Sequence, residues 1–564
     1  MSKVSSAQLV AEALINRGID TIFTLSGGHI TPIYQHLENS NVTLFDTRHE
    51  QSAVFMAEAY GRLTRKPGTA MVTAGPGFTN TLSAIANARM SNTPLVLISG
   101  AVGIESSERL DLQDIRQAPV IESMVKRAFV CQRPERVCEF VDMAYRTAAS
   151  GRPGPVYLEL PVDVLNAEVD EGCAKRPRTD VCSCYADAGN AAKMIEMIRQ
   201  AQHPIVIAGS GAWYADAAKE LTEFVEKVGV PTMTSGMGRG TISDTHPLCF
   251  ESSLAIRPGA AMVANTSTDL VILLGTRISL YYVFGDVFPQ DAKFVQVDIE
   301  PEEIGRNRSI DLGIVSDVRG LLAECNRQLD ESGVGNELTA KFAGWVSELR
   351  EMHTDMKEQA QPNWESDDVP IHPLRVMREI NDFMDRDDDI VIADGGDTQV
   401  WMGMTRTTRK PAHYMDSGLY GCLGVGLPFA NAAKYLYPEK RVCLVIGDGS
   451  VGFNFMEFET AIRKGLPTVV VINNDLGWGM IRHSQVLRIG HAIDAGTHIG
   501  PVDYHKMVEA LGGKGLYVDQ PDGIRPALEE AFASGKTACI NVMADPEPIS
   551  PGSVALANLG NMKA

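Results

Sequence analysis

The sequence predicts an α/β protein built from three doubly wound parallel-sheet domains. Its 564 residues exceed what one hydrophobic core normally serves. Short apolar strands alternate with helical stretches along the chain, the rhythm of parallel sheets. Those strands run into glycine or small polar residues, as strand-to-helix loops require. Apolar residues make up 44% and charged residues 22%, ordinary for a soluble globular protein. The formal charge of −20 disfavours nucleic acid and acidic membrane surfaces as partners. No apolar run approaches the length that spans a bilayer. Met1-Ser2-Lys3-Val4-Ser5-Ser6 lacks the charged-then-apolar layout of a signal peptide. A cytoplasmic protein acting on a small molecule is expected, with no nucleic-acid or membrane partner.

The first domain is expected over residues 1–165. Thr21-Ile22-Phe23-Thr24-Leu25, Thr69-Ala70-Met71-Val72-Thr73 and Pro94-Leu95-Val96-Leu97-Ile98 read as buried strands, and Val156-Tyr157-Leu158-Glu159-Leu160 closes the set. Residues 166–188 are polar and suit a linker. A second α/β unit over 188–335 holds Pro204-Ile205-Val206-Ile207-Ala208, Leu270-Val271-Ile272-Leu273-Leu274 and Phe294-Val295-Gln296-Val297-Asp298. Residues 333–369 read as charged and loop-rich. The third unit spans 370–545, and 546–564, with Pro546, Pro548 and Pro551, reads as a surface tail. The ten cysteines form no C-x-x-C pair. The loose group Cys173, Cys182 and Cys184 lacks histidine and reads as reduced surface thiols.

The chemistry concentrates in residues 447–475. The apolar strand Val442-Cys443-Leu444-Val445-Ile446 enters Gly447-Asp448-Gly449-Ser450, and the next strand, Thr468-Val469-Val470-Val471-Ile472, delivers Asn473-Asn474-Asp475. Hard oxygens and bare amides thus gather at strand carboxyl ends, where open α/β sheets bind phosphorylated ligands. Magnesium prefers such oxygens and shares its shell with phosphate. The spaced pattern resembles the diphosphate-and-metal motif of thiamine-diphosphate (ThDP) enzymes. Residues 46–63 followed by 73–88 resemble the pyrimidine-binding domain of the acetolactate synthase superfamily, and the likeness runs through pyrimidine-binding, central and diphosphate-binding domains in that order.

That resemblance implies roles. Glu50 takes the place of the carboxylate that bonds the cofactor's pyrimidine N1′; without the resemblance it is an acid suited to a helix N-terminus. Gly421 offers its carbonyl to the 4′-amino group, and Leu423 is the apolar wedge that bends the cofactor or else a core leucine. Asp448, Asp475 and the Gly477 carbonyl are the magnesium ligands, with Asn474 the alternative to Asp475. Gly395, Gly396, Gly449 and Ser450 are diphosphate donors. In the family, domains of opposite subunits clamp one cofactor, so a homodimer at minimum, and a homotetramer beyond it, is expected.

The reaction type turns on a few further positions. Residues 23–34 resemble benzaldehyde lyase and 2-hydroxyacyl-CoA lyases, making His29 the residue that handles the substrate hydroxyl, or a loop histidine bonded to backbone. Gln113 matches the active-site glutamine of these enzymes, with Gln117 its competitor. Leu112, Ser484 and Val162 depart from relatives that carry phenylalanine or tryptophan there, and Ser484 suggests room for an extended substrate; Met480 agrees with acetolactate synthase. Residues 295–308 and 236–247 resemble a central domain that holds an adenine nucleotide (CoA, ADP or FAD) in some members and nothing in others. Asp298 is its ribose candidate, and Arg306 and Arg308 are phosphate candidates or solvated surface groups. The expectation is a ThDP- and Mg²⁺-dependent carbon–carbon lyase or carboligase acting on 2-hydroxyacyl-CoA or 2-hydroxy ketones through an acyl-anion equivalent. The alternatives are acetolactate synthase-like condensation of 2-keto acids and a non-catalytic regulatory subunit.

Overall fold

The computed structural model describes residues 3–174, 181, 184–252 and 259–558. Cys182 therefore lies outside the described residues, as do positions 559–564 of the tail. Three six-stranded sheets, parallel throughout, carry the fold. The first runs Thr43–Asp46, Thr21–Thr24, Gly68–Val72, Leu95–Ala101, Pro155–Pro161, Arg127–Val130. The third runs Tyr414–Met415, Ile390–Asp394, Val442–Gly447, Val469–Asn474, Ala538–Met543, Lys514–Val518. Both share one topology: second, first, third, fourth, sixth, fifth in chain order. The middle sheet, Cys249–Ser252 through Leu312–Val315, is instead ordered third, second, first, fourth, fifth, sixth, the dinucleotide-binding order.

Central strands such as Gly68–Val72, Leu270–Leu274 and Ile390–Asp394 are buried at every position. That is the mark of a parallel sheet covered on both faces. In the first sheet the order reverses between Thr21–Thr24 and Gly68–Val72, and in the third between Ile390–Asp394 and Val442–Gly447. Crevices at such reversals are where α/β sheets hold ligands.

The chain packs into two compact units. One comprises residues 1–182, 417–439 and 451–468; the other comprises 183–416, 440–450 and 469–564. Segments placed by chain order in the third domain therefore complete the first unit. Within it, helix Gly426–Leu436 lies on helix Glu50–Thr64. Phe429 meets Phe55 edge-on at 6.1 Å and carries the Arg62 guanidinium at 4.9 Å.

Three sequence expectations need correction. Residues 335–364 form one helix, Gly335–Trp364, where loops were expected. Only Leu338, Phe342, Trp345 and Leu349 are buried, spaced at one face of a helix. Their signal is diluted by the charged residues of the solvent side. Trp345 stacks on His203 at 4.6 Å and donates to the Pro204 carbonyl at 3.2 Å, pinning the helix to the middle sheet. The expected linker contains Glu168–Asp170, which pairs antiparallel with Lys3–Ser5. The expected tail contains helix Pro551–Asn558, with Ser550 and Ser553 fully buried.

Phe342→Ala removes a fully buried ring and is expected to cost about 3–5 kcal/mol locally. It should lower the first thermal transition by several degrees, whereas the exposed Glu348→Ala should not. Equal midpoints for the two variants would show that this face carries no packing.

Candidate active site

In the first unit, the loops after three strands converge on Glu50, His29 and Gln113. Glu50 opens helix Glu50–Thr64, capped by His49, whose side chain accepts the Gln51 amide. It is 8% exposed and accepts from Asn80 Nδ2 at 2.9 Å. A buried carboxylate at a helix N-terminus is stabilised by the unsatisfied amides there. The Gly75-Pro76-Gly77 turn runs alongside it, and a methyl on Gly77 would lie 3.5 Å from Glu50 Oε1.

His29 follows strand Thr21–Thr24 in the short turn Gly28–Ile30. Its Nδ1 faces Thr73 Oγ1 at 3.1 Å, at the end of strand Gly68–Val72. Both loops flank the reversal in strand order. Close approach explains the glycines: a methyl on Gly27 would sit 2.4 Å from Thr73 Cβ, and one on Gly100 2.5 Å from His29 Cβ. Burial lowers the His29 pKa, and the Asp111 charge opposes that shift.

Gln113 is half-buried with φ +67°, its backbone tight against Gly75. Its competitor Gln117 is 1% exposed, with its amide spent on protein groups. Gly421, exposed, and Leu423, half-buried, belong to the loop between Gly418 and Gly424, where all three glycines have positive φ. Asn454 ties that loop to the Glu50 helix, donating to the Gly424 carbonyl at 2.8 Å and accepting from Ser52 Oγ at 3.1 Å.

The second unit holds the acidic cluster. Asp394 ends its strand fully buried and accepts from the Gly395 amide at 2.6 Å and Ser450 Oγ at 2.7 Å. Gly395 has φ +101°, and its absent side chain lets strand end meet strand end at Gly447. The Trp478 ring lies on Gly449, where a methyl would come within 2.7 Å. Asp448 is 2% exposed, and neither carboxylate oxygen meets a hydrogen-bond donor of ordinary geometry. Burial first, then the neighbouring Asp475 carboxylate, pushes its pKa up to about 9. Burial likewise raises that of Asp475.

Two adjoining carboxylates, one with both oxygens orphaned in a dry site, suit a hard divalent cation. Among the described residues no group of three His, Cys, Asp or Glu side chains could ligate a metal alone. Carbonyl and ligand oxygens must supply the rest of a magnesium shell, as Gly477 would. Asn474 is turned away, donating to Asn541 Oδ1 at 3.0 Å and accepting from the Leu476 amide.

Several participants were not singled out from sequence. A methyl on Gly479 would lie 2.2 Å from Asp475 Oδ2 and 3.4 Å from Asp397 Oδ2, so Asp397 belongs to the same pocket of charge. Asp397 also accepts from Ser550, from Ser553 at 2.7 Å and from His483 Nδ1 at 2.8 Å. The other nitrogen of His483 faces the Pro546 carbonyl at 2.8 Å. With acceptors at both ring nitrogens the imidazolium form is favoured; burial opposes it, and the Asp397 bond prevails to raise the pKa. A signal existed only for Asp397, in Gly395-Gly396-Asp397 after a buried strand. Ser484 is buried. Arg306 pairs with Glu303 at 2.8 Å, and Arg308 is spent on the Gly285, Phe288 and Pro289 carbonyls.

An acid whose pKa rises on folding stabilises the fold while protonated, and that stability is lost as pH climbs toward the folded value. Cation-free protein should therefore lose thermal stability from about pH 4 toward about 9, and Mg²⁺ should restore it. Asp475→Asn should shrink both the loss and the Mg²⁺ response. Superimposable pH–midpoint curves for variant and wild type would show that the two acids do not interact.

Comparison with known proteins finds relatives along almost the whole chain. Residues 4–120, 191–325 and 394–542 match the N-terminal TPP binding domain, the central domain and the C-terminal TPP binding domain of thiamine pyrophosphate enzymes. The chain is 33% identical to an acetolactate synthase large subunit from Mycobacterium tuberculosis over 554 residues, covering 98% of each. It is 30% identical to a 2-hydroxyacyl-CoA lyase from Arabidopsis thaliana, covering 95% of each. A similar likeness, 30% over 97% of this chain and 91% of the other, links it to the human 2-hydroxyacyl-CoA lyase 2. The chain belongs to the thiamine-diphosphate-dependent enzymes of the acetolactate synthase superfamily.

Proposed function

We propose that this enzyme is a ThDP- and Mg²⁺-dependent carbon–carbon lyase that also runs as a carboligase. It splits a 2-hydroxyacyl-CoA, or a 2-hydroxy ketone, into an aldehyde and a smaller carbonyl fragment. The observation that carries the reading is His29, held by Thr73 beside the loops of Glu50 and Gln113. ThDP, when bound, supplies a nucleophilic carbon and an electron sink. The chain supplies the rest. Glu50 would present its buried carboxylate to the pyrimidine ring, the Gly421 carbonyl would accept from its amino group, and Leu423 would pack against the cofactor. Asp448, Asp475 and the Gly477 carbonyl hold Mg²⁺, while Gly395, Gly396, Gly449 and Ser450 meet the diphosphate.

Because Nδ1 of His29 faces Thr73, Nε2 is the nitrogen left for the substrate. A lowered pKa keeps the ring neutral near pH 7, so Nε2 accepts the 2-hydroxyl proton as the bond between C1 and C2 breaks. Gln113 orients the adjoining carbonyl. The dinucleotide-type order of the middle sheet supports an adenine nucleotide there, CoA in this reading. Arg306 and Arg308, engaged internally, leave its phosphates to other groups. Assembly as at least a homodimer, and as a homotetramer beyond it, goes with the family resemblance. A second reading, decarboxylating condensation of 2-keto acids, is favoured by Met480 and by the identity to acetolactate synthases.

Aldehyde release from a 2-hydroxyacyl-CoA should exceed acetolactate formation from pyruvate; the reverse ranking selects the second reading. His29→Ala should lower lyase kcat about 10²–10⁴-fold with ThDP affinity, read by calorimetry, unchanged. In wild type the acid limb of kcat/KM should lie below the ordinary histidine range. Full turnover in His29→Ala would remove it from the mechanism.

A further inference from the structure

The buried glutamine that loses the competition for the substrate has a different place in the architecture. Gln117 begins the short helix Gln117–Ile121 and is 1% exposed. Its Oε1 accepts the Gly75 amide at 2.9 Å, and its Nε2 donates to the Gly100 carbonyl at 3.0 Å and to Tyr157 Oη at 3.0 Å. Ser99 Oγ and Glu159 Oε2 lie at 3.4 Å from the same nitrogen. A backbone amide only donates and a carbonyl only accepts, so the orientation of this side chain is fixed by its partners.

Each of the two backbone partners leads to a site residue. Gly75, at φ +60°, opens the turn that runs past Glu50 and continues to Asn80, the Glu50 donor. The same glycine presses on the Gln113 backbone, and Gly100 presses on His29 Cβ. One amide thus clamps the two backbone points against which His29, Gln113 and the Glu50 turn are seated. Tyr157 and Glu159, joined at 2.8 Å, hold its far side.

We propose that Gln117 is a positioning residue for the reaction: its amide sets the separation of the Gly75 and Gly100 backbones and thereby the placement of His29, Gln113 and Glu50. It touches neither substrate nor cofactor. The proposal rests on the site assignment above but not on the choice of substrate, so it is tested in whichever of the two assays the enzyme turns over.

Displacing catalytic groups by a fraction of an ångström to an ångström costs up to about 100-fold in rate. Gln117→Met keeps the volume but loses the bonds to Gly75, Gly100 and Tyr157, and kcat should fall about 10- to 100-fold with KM little changed. Gln117→Glu is the diagnostic variant. Protonated, it can accept from Gly75 and donate to Gly100. Ionised, it repels the Gly100 carbonyl and Glu159, the one carboxylate facing it; Tyr157 and Ser99 are the other polar side chains there, and His29 lies beyond Gly100. Its activity relative to wild type should therefore rise as pH falls, even as wild-type activity declines. Thermal midpoint and ThDP affinity, measured in parallel, separate loss of fold from loss of placement. If Gln117→Met and Gln117→Glu lower the midpoint but turn over at the wild-type rate per bound ThDP, with an unchanged pH profile, the role is structural only and the proposal fails. A shared loss of activity whose Gln117→Glu member is not recovered at low pH overturns it equally.

Discussion

Two adjoining carboxylates, Asp448 buried and Asp475 half-buried, are the constraint around which the second unit's acidic cluster is arranged. Burial, and for Asp448 the neighbouring carboxylate, raises the pKa of both Asp448 and Asp475 and so disfavours ionising the pair together. Around them the chain spends glycine at 395, 449 and 479, where a side chain would collide with strand end, indole or carboxylate. Asp397 brings a third acid nearby, balanced by His483 and by hydroxyls of Ser550 and Ser553. A histidine and two serines beside the last described helix are thus built into the negative cluster.

The first and third sheets share a strand order, and both use the same two places in it. In each, the loops after the first and third strands of the sheet face each other across the reversal. One sheet puts His29 and Thr73 there; the other puts Asp394 and Asp448 there. A common topology therefore presents a histidine–threonine pair in one case and buried acids in the other. Only the residue chemistry differs.

How much of this was legible in the sequence depended on locality. The acids at 448 and 475 stand at the ends of unbroken apolar strands, so strand pattern and ligand type were readable together. Glu50 could be placed at a helix start from its own neighbours. Gln117 could not be understood that way, because Gly75, Gly100 and Tyr157 come from three separate stretches. Asp397 and Ser550 are likewise far apart in the chain. The long helix Gly335–Trp364 was misread because four buried residues carry its periodicity against a charged background. Arg308 looked like a surface cation, and only the fold shows it wrapped in carbonyls.

The first unit is completed by residues 417–439 and 451–468, drawn from much later in the chain. Helix Glu50–Thr64 packs on the amino-terminal sheet with one side, and its other side, with Phe55, is covered by Phe429 and its helix. During synthesis, then, the amino-terminal sheet emerges early but keeps an apolar flank open while some 250 further residues are added, a wait of roughly 15–50 s at ordinary ribosome speeds. Expressing the enzyme's conventional domains separately would make the transient exposure permanent.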